Sequence, residues 1–186
     1  MPQILLVPWT TLVIDEFRTP WTIQGPLASA LRVVGDGNYA VCGLLVGQND
    51  TNTLCGIDFR QESGAVFPWA NRRIDNVYGQ MRFANHGPDV GVGCAFYICD
   101  EARAFAVETF NGVFNSAVSA DNYVTLFQGN NPTFNAHIIN DNALLGLIFY
   151  CHATPSGSST LSVDQFRLVI DYTDLVPKGG IMAMEC

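Results

Sequence analysis

Short apolar segments with a period of two, each closed by a turn, fill this 186-residue chain from Gln3 to Thr173. The last of them shows the pattern best: Phe166, Leu168, Ile170 and Tyr172 alternate with Gln165, Arg167, Val169 and Asp171. Successive side chains on a strand point to opposite faces, so this spacing makes one face apolar and the other mostly polar. Cys55, Ile57 and Phe59 oppose Asp58 and Arg60 in the same way, and Val77, Met81 and Phe83 oppose Asn76, Gln80 and Arg82. Turn chemistry separates the segments at Gly35-Asp36-Gly37-Asn38, Gln48-Asn49-Asp50, Asn111-Gly112, Gly129-Asn130-Asn131-Pro132 and 154–160.

This reading predicts strands at 3–7, 11–17, 21–24, 27–34, 39–47, 53–60, 75–84, 91–99, 102–110, 123–128, 133–139, 143–153 and 163–173. Many short strands at such spacing predict an all-β, antiparallel β-sandwich. A single domain covers 1–186, with extended arms at about 1–18 and 174–186. Segments 39–46 and 143–153 are apolar on both faces and belong inside a sheet covered on both sides, or against a neighbouring subunit. Segment 100–110 has helical spacing after Asp100, but Phe105, Val107 and Thr109 also alternate, which favours a hairpin with 91–99.

Charged residues make up only 14% of the chain, against about 25% in a typical soluble domain. A surface this poor in charge is expected to be covered in part by other chains. Net charge is −8, Lys178 is the only lysine, and Arg72-Arg73 is the only basic doublet. Phosphate backbones are neutralised by clustered Lys and Arg, so direct nucleic-acid binding is disfavoured. The start of the chain lacks the charged n-region of a secretory signal, and no apolar run approaches the roughly 18 residues of a membrane span. Six cysteines, none in a C-x-x-C pair, read as reduced core residues made in a cytoplasm; a Cys42–Cys55 hairpin bridge is the alternative.

Catalytic chemistry has no foothold in the pattern. His86, His137 and His152 share no metal-ligand spacing, Gly-x-Ser-x-Gly is absent, and Asp15-Glu16 are neighbours that face opposite ways on a strand. No catalytic residue, metal or cofactor is therefore assigned. The Asn and Asp residues at 36–38, 49–50 and 140–142 offer oxygen ligands for calcium, but the backbone preference of Asn and Asp for turns explains them better. Phe67 and Trp69 form a candidate platform for stacking on a sugar. Trp9, Trp21, Leu44, Ile181, Met182 and Met184 are the candidate contacts between subunits.

The closing pair of segments, 143–153 and 162–172, resembles the final hairpin of many viral and phage β-sandwich proteins. The Asn-rich turns and arms are similar to single jelly-roll coat or decoration proteins. That resemblance implies a jelly-roll fold and a non-enzymatic role in a virion, as a capsid, decoration or cement component. Its partners would be copies of itself, in a trimer or larger homo-oligomer, and other shell proteins. Coat proteins that package nucleic acid commonly carry a basic arm, which this chain lacks. The alternative is a carbohydrate-binding sandwich, such as a receptor-binding module with a glycan as partner.

Overall fold

The computed structural model describes residues 1–17, 21–23, 31–36, 40–44, 51–86, 90–99, 105–114, 122–139, 145–153 and 159–175. Among them are β1 (Gln3–Phe17), β2 (Trp21–Ile23), β3 (Ala40–Leu44), β4 (Thr51–Arg60), β5 (Arg72–His86) and β6 (Val90–Cys99). The described chain continues through β7 (Phe105–Phe114), β8 (Tyr123–Gly129), a short helix α1 (Pro132–Ile139), β9 (Leu145–Ala153) and β10 (Ser159–Asp174). Every strand pairing is antiparallel.

The pairing order is that of a jelly roll. β3 pairs β10, β4 pairs β9, β5 pairs β8 and β6 pairs β7, so the chain from β3 onward folds like one long hairpin rolled up. Two further pairings, β10 with β5 and β9 with β6, join these ribbons into a sheet β3-β10-β5-β8 and a sheet β4-β9-β6-β7. The segments that were apolar on both faces, β3 and β9, indeed lie inside their sheets, β3 between β2 and β10 and β9 between β4 and β6.

Hydrophobic alternation builds the core as expected. Val77, Met81 and Phe83 on β5 and Phe166, Leu168 and Ile170 on β10 are all buried. Phe59 of β4 meets Phe166 edge-on across the sandwich, 5.9 Å between centroids.

The N-terminal segment is extended, as an arm would be, but it is tied into its own subunit. Gln3 to Leu6 pair with Asp171 to Leu168 on β10, while Val7 to Phe17 pair with β4 in the other sheet. At the other end, Asp174 is the last residue of β10 and pairs with Arg72, so that tail begins after it.

Three local expectations are corrected. Residues 133–139 form α1 rather than a strand. Asn131 caps it, its Oδ1 accepting the Thr133 and Phe134 N–H groups at 3.0 and 3.1 Å, and Pro132 occupies the first helical position. Phe134 and Ile138, four apart, then face inward together. Residues 31–36 are turns and bends rather than the end of a strand, and 27–30 lie outside the described residues. Asn111 and Gly112 do not turn; they pair with Ala95 and Cys94, and the predicted hairpin runs on through them. No helix among the described residues is long and apolar enough to cross a membrane.

Candidate binding and assembly surfaces

The first surface is organised where β1 changes sheets. Leu6 is opposite Leu168 on β10, Pro8 is opposite Phe59 on β4, and Trp9 sits in the register shift that follows. A bulge of this kind re-aims a side chain, and proline suits such a position because it has no N–H to give the ladder. The Trp9 ring lies against Gly64, whose φ of +84° and bare Cα suit both the tight turn and the close approach. Over the ring stands the Arg32 guanidinium, 4.5 Å from the centroid, which also donates from Nη1 to the Trp9 carbonyl at 3.0 Å.

Arg32 belongs to a loop that fills a gap along β10. β3 pairs with β10 as far as Val163, and β1 takes over only at Leu168. Between them the Phe166 N–H donates to the Leu31 carbonyl at 2.9 Å, and Gln165 Nε2 donates to the Arg32 carbonyl at 2.6 Å. Asp164, 1% exposed, pairs with Arg82 and accepts the Gly35 N–H at 3.1 Å. The Tyr123 hydroxyl donates to Gln165 Oε1, and burial pushes that phenol's pKa up, against the pull of Arg167 and Arg82.

This anchoring holds out two valines. Val33 and Val34 are 45% and 41% exposed, and with Trp9, Arg32, Glu62 and Gln165 they line a groove of about 390 Å³. Its rim carries both signs of charge. Val66, 50% exposed, lies two residues beyond Gly64 in the turn that supports Trp9.

The candidate sugar platform is arranged differently from its sequence reading. Trp69 is buried, at 7% exposure, and half-buried Phe67 meets it edge-on at 4.7 Å. Both rings pack on Tyr172, at 5.2 Å from Phe67 and 6.3 Å from Trp69. Arg72 covers Phe67 and Tyr172 at 4.8 and 5.5 Å and pairs with Asp174 at 2.9 Å. The three rings and the arginine plug one end of β10 and leave Trp69 no open face for a sugar.

Of the remaining candidate contacts, Trp21 opens β2 opposite Cys42, and Leu44 ends β3 opposite Ser159. Ile181, Met182 and Met184 lie outside the described residues. Cys42 and Cys55 stand on strands of different sheets. Val33, Val34 and Arg32 escaped sequence reasoning because a strand was expected there; only the cluster Gly35-Asp36-Gly37 hinted at the loop.

Comparison with known proteins adds little detail. No family model matches the sequence, and no curated protein matches it. Among solved structures, the chain is similar to one in the "Structure of infectious bursal disease virus Gx strain", at 6% identity and a TM-score of 0.32. The match covers 74% of this chain and 34% of that one, so the chain spans about a third of the length of the protein it matches.

Proposed function

We propose that this chain is a non-enzymatic structural protein of a virion, a jelly-roll building block that assembles with copies of itself. The observation that carries the proposal is the Trp9 groove, where a strand bulge, an anchored loop and a tight turn together hold apolar side chains out to solvent. Jelly rolls serve viral shells, lectins and cupins alike, so the fold narrows the choice without making it. Two features favour the shell. A charge content of 14%, against about 25% in a typical soluble domain, leaves much of the surface uncharged and suited to being covered by other copies. Exposed Val33 and Val34 flank an aromatic ring, the composition of an interface centre.

The occupant of the groove is a second copy. Arg32 and Glu62 line the same groove with opposite charges, so two copies related by a two-fold axis can set Arg32 of one against Glu62 of the other. An acidic chain with one lysine makes the shell component one that does not grip the genome.

Electron microscopy of the purified full-length chain at increasing concentration tests the proposal. Discrete closed or sheet-like assemblies are expected, and Val34→Asp should abolish them. Dispersed particles of single-chain size at every concentration would rule it out.

A further inference from the structure

The outer face of β1, β10, β5 and β8 carries a second concavity, remote in role from the Trp9 groove. Strand register sets its side chains in rows. Gln3, Asp171 and Asn76 stand side by side; Leu5, Val169, Tyr78 and Gln128 form the next row; Arg167, Gln80 and Thr125 form the third. The concavity measures about 340 Å³ and is lined by Gln3, Ile4, Leu5, Tyr78, Gln80, Arg167 and Val169.

We propose that this concavity binds the carboxylate of an acidic saccharide, with Arg167 as its anchor. Arg167 is held in place from two sides. Its guanidinium stacks 3.4 Å above the Tyr123 ring, and its Nε donates to Gln80 Oε1 at 2.8 Å. Gln80 is fixed in turn by donating to Thr125 Oγ1 at 3.3 Å. Among the described residues no acceptor meets the Nη atoms of Arg167, and no carboxylate pairs with it. Among the described residues Arg167 is thus a cation without an ion-pair partner, at the edge of a concavity, and it suits an anion from outside. The two free Nη groups form a fork suited to a planar carboxylate.

The rest of the lining suits a sugar ring. Leu5 and Val169 give apolar ground for C–H faces, and Tyr78 adds an aromatic ring. Gln3 spends its Nε2 on Asp171 at 2.8 Å, which leaves its Oε1 to accept a hydroxyl. Asp171, in the row next to Leu5 and Val169, is buried and takes hydrogen bonds from Gln3 and Tyr78. It lies four residues along the strand from Arg167, about 13 Å at the usual rise, so it does not compete for the guanidinium.

Saturation-transfer NMR on the full-length chain tests this with 3′-sialyllactose, lactose and N-acetylglutamate as probes. Transfer to 3′-sialyllactose and not to lactose is expected, with affinity falling as salt rises. Arg167→Gln should weaken binding about tenfold, as loss of a charge-assisted pair does. Val169→Glu leaves Arg167 in place, sets a carboxylate beside the site and should weaken binding similarly; it decides the matter if Arg167→Gln proves misfolded by near-ultraviolet circular dichroism. Arg73→Gln, outside the concavity, should bind as the parent does. Equal transfer to lactose, equal competition by N-acetylglutamate, undiminished binding in both variants, or no binding by the parent would each overturn the proposal. The readout is independent of assembly: a monomer that binds leaves this site standing while removing the building-block reading.

Discussion

Asp164 pairs with Arg82 at the one position on β10 between Leu161 and Asp174 that has no register partner on β5. The bulge turns an acidic side chain into the sheet, where it holds the loop 31–36 through the Gly35 N–H. Removing one partner of a buried ion pair leaves the other desolvated. Asp164→Ala should therefore destabilise the fold by about 3 kcal/mol, and Asp164→Asn by less, in urea unfolding. The same variant should release the loop, so proteolysis near 31–36 should quicken ahead of global unfolding.

Gly79 lies beneath Phe127. The two are register partners on β5 and β8, and a Cβ at Gly79 would collide with the Phe127 ring. Gly79→Val should cost about 2–3 kcal/mol, since both residues are buried and the ring has nowhere to move. Thermal melts of Gly79→Val alone and combined with Phe127→Ala check the cause: the collision disappears in the double variant, so the two effects should not add.

Asn131 should prove to be a working helix cap. Asn131→Ala removes the acceptor of two N–H groups at the start of α1, and about 1 kcal/mol of stability should go with it. Asn131→Asp should be close to neutral in denaturant titration, because the carboxylate keeps the acceptor and favours the helix N-terminus.

Acid should weaken the β5–β10 contact at its far end. The Thr173 hydroxyl, and then Arg73, hold the Asp75 carboxyl below its ordinary 3.8, with burial opposing them. A carboxylate with a lowered folded pKa stabilises the protein above about pH 4 and loses that contribution as pH falls through the folded value. Thr173→Val should flatten this part of the profile, measured as urea midpoints between about pH 2 and pH 6.

The alternation of apolar residues made the strands legible, and two-sided apolar segments correctly marked β3 and β9 as interior. Which strand pairs with which was not legible. β3 meets β10 and β4 meets β9 across most of the chain, and a period-two pattern says nothing of such distant partners. The helix was missed although Asn131-Pro132 announces it, because Thr133, Phe134 and Ile138 also suit a strand. The loop 31–36 was missed for a deeper reason: its hydrogen bonds come from Asp164, Gln165 and Phe166, far off in sequence.

Among the site residues, Trp9 was singled out from sequence and does line the groove, whereas Phe67 and Trp69 pack on Tyr172. Tryptophan carries no label for which of the two it will do; the Gly64 turn and the Arg32 stack decide it. The Arg167 concavity depends on register across β1, β10 and β5, so it too could only be found in the fold.

Charge reversal should separate assembly from folding. Glu62 is exposed, so Glu62→Arg should leave the melting temperature nearly unchanged while setting Arg32 and the new arginine against each other across the proposed interface. Sedimentation velocity should show weaker association, with the deficit shrinking at high salt as the repulsion is screened.

The most direct test of the building-block account is the native mass of the full-length protein beside the double variant Val33→Asp, Val34→Asp. The account predicts a defined multiple of 20.3 kDa for the parent and a single folded chain for the variant. A parent that stays at 20.3 kDa at every concentration, or a variant that assembles undiminished, would contradict it.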